Sequence, residues 1–220
     1  MANQAKQETP KRRRSRADGE LSRARILDAA TEIAAERGYE GTSIALVSAK
    51  CGLPASSIYW HFKDKDDLIA AVIERSFGAW LAAWQVPEVP EQISEQDAEQ
   101  HVVDLLIENG KALLDSPDFL RLGLMLGLER RPVEPRARTM FLQVRARAFE
   151  ELIGDFRRFV PDLTTAEAQQ LVLYGVAAAD GLFIAKEIGG DAVDLLALFE
   201  MHGQAIYHLA RRMVEQRTQR

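Results

Sequence analysis

Apolar residues recur every three to four positions along most of this chain, the period of one buried face on an α-helix. No stretch alternates between apolar and polar as a half-buried strand does. From Leu21 to Arg37, Ile26, Leu27, Ala30, Ile33 and Ala34 form one stripe, and Gly38 ends the helix. Ile44 and Val47 mark a short helix that Thr42 is expected to cap and that stops at Gly52, where a left-handed backbone is tolerated. Pro54 opens a second short helix, Ala55 to Phe62, with Ile58 and Phe62 facing inward. At about two turns it is too short to stand alone and must be held by neighbours. Asp66 to about Trp84 reads as one long helix with Leu68, Ile69, Val72, Ile73 and Phe77 inward, and the stretch from Val86 to Pro90 reads as a surface loop.

The remainder is helical throughout. Ser94 with Asp97 caps a helix to about Leu114. Ser116-Pro117 starts another, to about Glu129, apolar nearly all round and therefore expected to be buried. A break from Arg131 to Pro135 precedes a long helix, Arg136 to about Phe159, with Phe141, Val144, Ala148, Leu152 and Phe156 inward. Thr164 and Glu167 form a capping box for a helix to about Ile188. Gly189-Gly190 turns the chain, and Asp191 is expected to cap a last helix to about Gln216. The pair reads as a hairpin. Gly175, Ala177, Ala178, Ala179 and Gly181 allow close approach, against a stripe of Leu195, Leu198, Phe199, His202, Ile206 and Leu209. The expected fold class is all-α. Residues 1–20 read as a disordered basic arm, 21–67 as a three-helix head with a helix-turn-helix, and 68–220 as a larger helical domain.

Composition narrows the class without naming a function. With 47% hydrophobic and 28% charged residues, the balance is that of a soluble globular chain. No apolar run approaches the roughly 20 residues that cross a bilayer, and no signal peptide is read at the start. The single cysteine excludes an internal disulfide and fits a reducing cytoplasm. Net charge is −5, yet residues 1–75 hold 13 Lys and Arg against 11 Asp and Glu, whereas the rest hold 15 against 22. The sign of that contrast suits a nucleic-acid-binding head on an acidic body. Lys11, Arg12, Arg13, Arg14 and Arg16 in the arm are either a solvated tail or an accessory minor-groove contact.

The second short helix carries Ser56, Ser57, Tyr59, Trp60 and His61, which together offer hydroxyls, ring N–H groups and flat apolar surface. Such groups suit phosphates, base edges and the thymine methyl. Lys65 lies just beyond, within reach of a phosphate. Thr42-Ser43, Cys51-Gly52-Leu53, Ser57 to Phe62 and Lys65-Asp66-Asp67-Leu68 closely resemble the DNA-binding signature of the TetR family of transcriptional regulators. Arg25 to Gly38, with Tyr39 and Gly41, is similar to that family's first helix and loop. The match covers residues 21 to 75, with Cys51 where the family usually has Ala and Pro54 where it usually has Ser.

The resemblance implies a ligand-responsive repressor. It binds a palindromic double-stranded operator as a homodimer through its last two helices, and a small, mostly apolar effector releases it. Thr42, Tyr59, His61 and Lys65 are the expected phosphate contacts, and Ser56, Ser57 and Trp60 the expected base-edge contacts. The resemblance also implies an effector pocket among the middle helices. Trp80, Trp84, Phe119, Leu122, Met125, Phe141, Phe149 and Tyr174 are its candidate walls. Arg145, four residues from both Phe141 and Phe149, either points inward to a carboxylate of the protein or the ligand, or outward to water. Neither enzyme nor cofactor is expected. Ser57, His61 and Asp64 lack a nucleophile elbow, and His101, His202 and His208 lack ligand spacing. The alternative is a helical adaptor that binds protein through its acidic body, with a head that does not read DNA.

Overall fold

The computed structural model describes residues 10–84, 94–128, 133 and 135–219. The expected loop from Val86 to Pro90, most of the break before Pro135 and the first nine residues lie outside this range. Nine α-helices and one short 3-10 turn account for the described elements, and there is no strand among them. They are α1 (Pro10–Gly41), α2 (Ile44–Cys51), α3 (Ala55–His61), α4 (Lys65–Ala83), α5 (Glu95–Asp115), α6 (Asp118–Leu128), α7 (Arg136–Phe159), α8 (Thr165–Gly189) and α9 (Leu195–Thr218), with the turn at Gly190–Ala192. No helix among the described residues is long and apolar enough to cross a membrane.

The chain packs as two compact units, one holding residues up to Glu74 with Arg121–Met140, the other Arg75–Leu120 with Phe141–Arg220. The expected head, 21–67, falls wholly within the first unit, which also takes in the end of α6 and the start of α7. In that unit α1, α2 and α3 pack on one another. Ile26, Ala30 and Ala34 of α1, Val47 of α2 and Ile58 of α3 are all fully buried in the core. α1 starts eleven residues earlier than its apolar stripe requires, inside the stretch expected to be a disordered arm. Lys, Arg, Ala and Glu in that stretch are good helix formers, so the helix extends back through them. Gly38, at φ 67, interrupts its far end.

In the second unit α9 packs against α5 and α8. The α5–α9 approach requires Gly203: a Cβ there would stand 2.7 Å from the Val103 Cα. Phe199 packs on Gly110 of α5 and Ile206 on Gly175 of α8, both fully buried. Capping holds the helix starts as expected at Ser94, which accepts from Asp97 N, and at Thr164–Glu167, where both halves of the capping box form. The start of α9 differs. Asp194, not Asp191, caps it, accepting from Ala197 N at 3.1 Å, because the 3-10 turn delays the helix by one turn. α6 differs as well. Leu120, Leu122 and Leu126 are buried, but Met125 and Leu128 are exposed, so one apolar face of this helix stands in solvent.

Candidate nucleic-acid interface and body cavity

α3 is seated from below and presented from above. Ile58 is 0% and Phe62 3% exposed, while Tyr59 is 57% and Trp60 77% exposed on the opposite face. The turn before it depends on Gly52 at φ 67, whose N–H bonds Ser48 O and closes α2. Ser48 Oγ donates to Leu53 O at 2.6 Å and Arg25 Nη2 to Cys51 O at 2.7 Å, so the last carbonyls of the turn are satisfied internally. Pro54 precedes α3 in extended backbone, as its position required. Ser56 is exposed and Ser57 half-buried beside Trp60, whose ring meets His61 edge-on at 4.5 Å between centroids. Burial, chiefly, and the nearby Arg23 charge hold His61 below the usual histidine pKa of 6.5, with Glu20 opposing. At neutral pH it therefore offers one ring N–H and one acceptor nitrogen.

Two expected contacts are placed otherwise. Thr42 is 1% exposed, and its hydroxyl donates to Gly38 O at 2.8 Å. Ser43 caps α2 in its stead, accepting from Leu46 N. Thr42 is thus a buried brace for the loop after α1, and it presents no hydroxyl to a phosphate. Lys65 donates to Tyr39 O at 3.1 Å, lies 4.3 Å over the Tyr39 ring and pairs with Glu40 at 3.5 Å. Most of its hydrogen-bonding capacity is spent inside the head. Asp66, which sequence reasoning passed over, ties three segments of this unit together. Its carboxylate accepts from Arg136 N at 2.7 Å, Ala137 N at 3.2 Å and Tyr39 Oη at 3.3 Å. It thereby caps the start of α7, a helix with no acidic residue in its own first turn.

In the second unit a cavity of about 80 Å³ is walled by α5, α7, α8 and the facing ends of α4 and α6. Trp80, Trp84, Phe119, Phe149 and Arg145 stand in its wall. Arg145 points inward, and its carboxylate partner is Asp180 of α8, held by both guanidinium nitrogens. Phe141 forms a second layer, 5.5 Å from Phe119 between centroids and outside the lining. Leu122, Met125 and Tyr174 do not belong to it. Leu122 and Met125 lie in the first unit, and Tyr174 is 54% exposed in a groove between α8 and α9 with Leu209 and Met213. An apolar or aromatic residue at helical spacing fits core, cavity and interface equally well, so periodicity alone could not sort them. Ala148 and Leu152, expected inward on α7, are only half-buried because they border the cavity.

Asp180 and Asn109 were missed as wall residues. Asp180 carried a signal, being the one charged residue between Glu167 and Lys186 on an otherwise apolar and small-residue helix. Asn109 carried none. No group of three His, Cys, Asp or Glu side chains among the described residues could hold a metal ion.

Residues 26–72 match the model of the bacterial regulatory proteins, tetR family. The HTH-type transcriptional regulator AcrR of Shigella flexneri is 34% identical over 64 residues, which is 29% of this chain and 30% of that protein. The fatty acid metabolism regulator protein of Bacillus subtilis is 26% identical over 111 residues, 50% of this chain and 55% of that one. The chain thus spans between about a third and about half the length of these curated relatives. The whole fold is shared more widely. The fatty acid degradation regulator FadR of Bacillus halodurans superposes with a TM-score of 0.64 at 19% identity, covering 92% of this chain and 97% of that one. A putative transcriptional regulator of Pseudomonas aeruginosa PAO1 gives 0.69 at 18% identity, over 90% and 94%.

Proposed function

We propose, from a head that belongs to the tetR family of bacterial regulatory proteins, that this chain is a ligand-responsive transcriptional repressor acting on double-stranded DNA. The observation that carries the reading is the presentation of α3. A helix of seven residues is held on buried Ile58 and Phe62 and offers Ser56, Tyr59 and Trp60 outward. Such a helix enters the major groove with its exposed side chains on base edges and its flanks on phosphates. Trp60 and Ser56 are assigned to base edges, with Ser57 at the margin of the same face. Tyr59 and the neutral His61 are assigned to phosphate oxygens. Lys65 acts mainly by holding Tyr39 and the loop, with its charge adding to the local field.

The body works as a homodimer. Leu173, Ile188 and Met201 are 62%, 83% and 63% exposed on α8 and α9, an apolar surface that a second copy would cover. Two heads joined by one symmetric interface match a palindrome with half-sites about 34–36 Å apart. The effector occupies the cavity of the second unit. α7 is the physical link: Arg145, Ala148, Phe149 and Leu152 line the cavity, and nine residues before Arg145 the same helix is capped by Asp66, beside the end of α3. A ligand that binds the cavity better when α7 has shifted lowers operator affinity by that difference alone.

Selection from a random duplex pool tests the reading. Wild type is expected to enrich a palindrome. Tyr59→Ala with Trp60→Ala is expected to lose at least about tenfold in affinity for it, the scale of one or two lost contacts. Equal binding by the double variant would sink the assignment of α3 and favour an adaptor whose head does not read DNA.

A further inference from the structure

The polar atoms of the cavity wall define what it accepts. Trp80 Nε1 and Trp84 Nε1 are shut away from water and find no hydrogen-bond partner among the described residues. Trp80 itself is only 7% exposed. Asn109 Oδ1 is likewise buried and unpartnered. All three residues line the cavity, and the two indole rings lie 4.9 Å apart between centroids. Unmatched buried donors and acceptors are rare in native proteins, and three on one small cavity point to a missing partner. The inventory is two donors and one acceptor. A hydroxyl group is the complement, since its oxygen accepts twice and its proton is donated once.

Charge and size narrow the class. Arg145 and Asp180 neutralise each other in the wall. An anionic ligand would set a second carboxylate beside Asp180, and it has no proton for Asn109. An ammonium ligand has no lone pair for the indoles. The remaining wall is apolar, with Phe119, Phe149 and Leu152 prominent. The cavity of about 80 Å³ adjoins a recess of about 30 Å³ that shares Trp84, Asn109 and Leu152 with it. A cavity of about 150 Å³ accommodates benzene, so the ligand is no larger than one ring, and even that enters only as the walls give way.

We propose that the cavity takes a small uncharged hydroxyl compound of about one ring, a phenol or cyclic alcohol. Its oxygen accepts from the Trp80 and Trp84 indoles and donates to Asn109 Oδ1. This rests on the cavity being the effector site, and the two can fail separately. Binding to the purified full chain is measured by calorimetry with phenol, cyclohexanol, toluene, benzoate and benzylamine. Phenol and cyclohexanol are expected to bind saturably, and the other three at least about tenfold more weakly, the loss incurred when buried polar groups stay unpaired. Trp84→Phe and Asn109→Leu keep the apolar bulk and are expected to weaken phenol about three- to tenfold each while leaving toluene unchanged. Asp180→Asn, which leaves Arg145 without its carboxylate, is expected to raise benzoate affinity. Thermal unfolding of each variant confirms that it is folded. Toluene binding as tightly as phenol, benzoate outbinding phenol in the wild type, or no saturable binding by either hydroxyl compound overturns the proposal. Operator affinity is then read with and without phenol. Phenol that binds in a Trp84-dependent manner yet leaves DNA binding unchanged keeps the ligand class and removes the effector role.

Discussion

Asp66→Ala is the most informative single change in the first unit. The carboxylate accepts two backbone N–H groups at the start of α7 and the Tyr39 hydroxyl. α7 has no acidic residue in its first turn and follows Pro135, so among the described residues no nearer side chain stands in. Loss of a helix cap costs about 1 kcal/mol, within a range of about 0.5–2. The lost charge at the positive helix end adds about 0.3–1 kcal/mol, and the stranded Tyr39 contact at 3.3 Å adds little. These overlap, so the expected total is about 1–2 kcal/mol. Asp66→Asn keeps an acceptor and loses the charge, and should cost roughly half as much. The control is Arg136→Ala, which removes an ion pair to Asp67 whose guanidinium side is 64% exposed but leaves the backbone donors in place. A pair so open to solvent is worth at most a few tenths of a kcal/mol. Urea unfolding of the three variants at matched m-values measures the order. A loss below about 0.5 kcal/mol for Asp66→Ala, or a larger loss for Arg136→Ala, would refute the cap as what anchors α7.

Gly203→Ala drives a methyl to 2.7 Å from the Val103 backbone, which cannot swing aside, so α5 and α9 must part; thermal unfolding should show a loss of about 1–3 kcal/mol. Thr42→Val removes a buried hydroxyl donor to Gly38 O and should cost about 1 kcal/mol of stability, with operator affinity unchanged at a temperature where the variant is folded. A specific loss of DNA binding there would restore Thr42 as a phosphate contact. His202, 8% exposed and bonded to Gly175 O, is held below the ordinary 6.5 mainly by burial, the bond opposing. The unfolded chain therefore binds a proton first as pH falls, so this contribution to stability is complete above pH 6.5 and declines beneath it. Melting temperatures from pH 7.5 to 5 should fall more steeply for wild type than for His202→Gln, and parallel curves would contradict this.

Local rules determined much of this protein. The apolar period of Ile26, Ala30 and Ile33, the caps at Ser94 and Thr164, the left-handed Gly52 and the opening Pro54 all act over three or four residues, within reach of sequence reading. They sufficed to set out the helices, and with them the head whose α3 presents Tyr59 and Trp60. Where two capping residues compete, locality failed: Thr42 against Ser43, and Asp191 against Asp194, were decided by which side chain the packed backbone left free to turn toward the helix. Only the tertiary structure paired Arg145 with Asp180, 35 residues on, and Asp66 with the start of α7, 70 residues on. Those distances depend on how helices dock, which no period along the chain encodes. The same holds for the cavity. Trp80, Leu122 and Tyr174 carry similar apolar surface in the sequence, and only the assembled helices sent one to a cavity, one to solid core and one to an exposed groove.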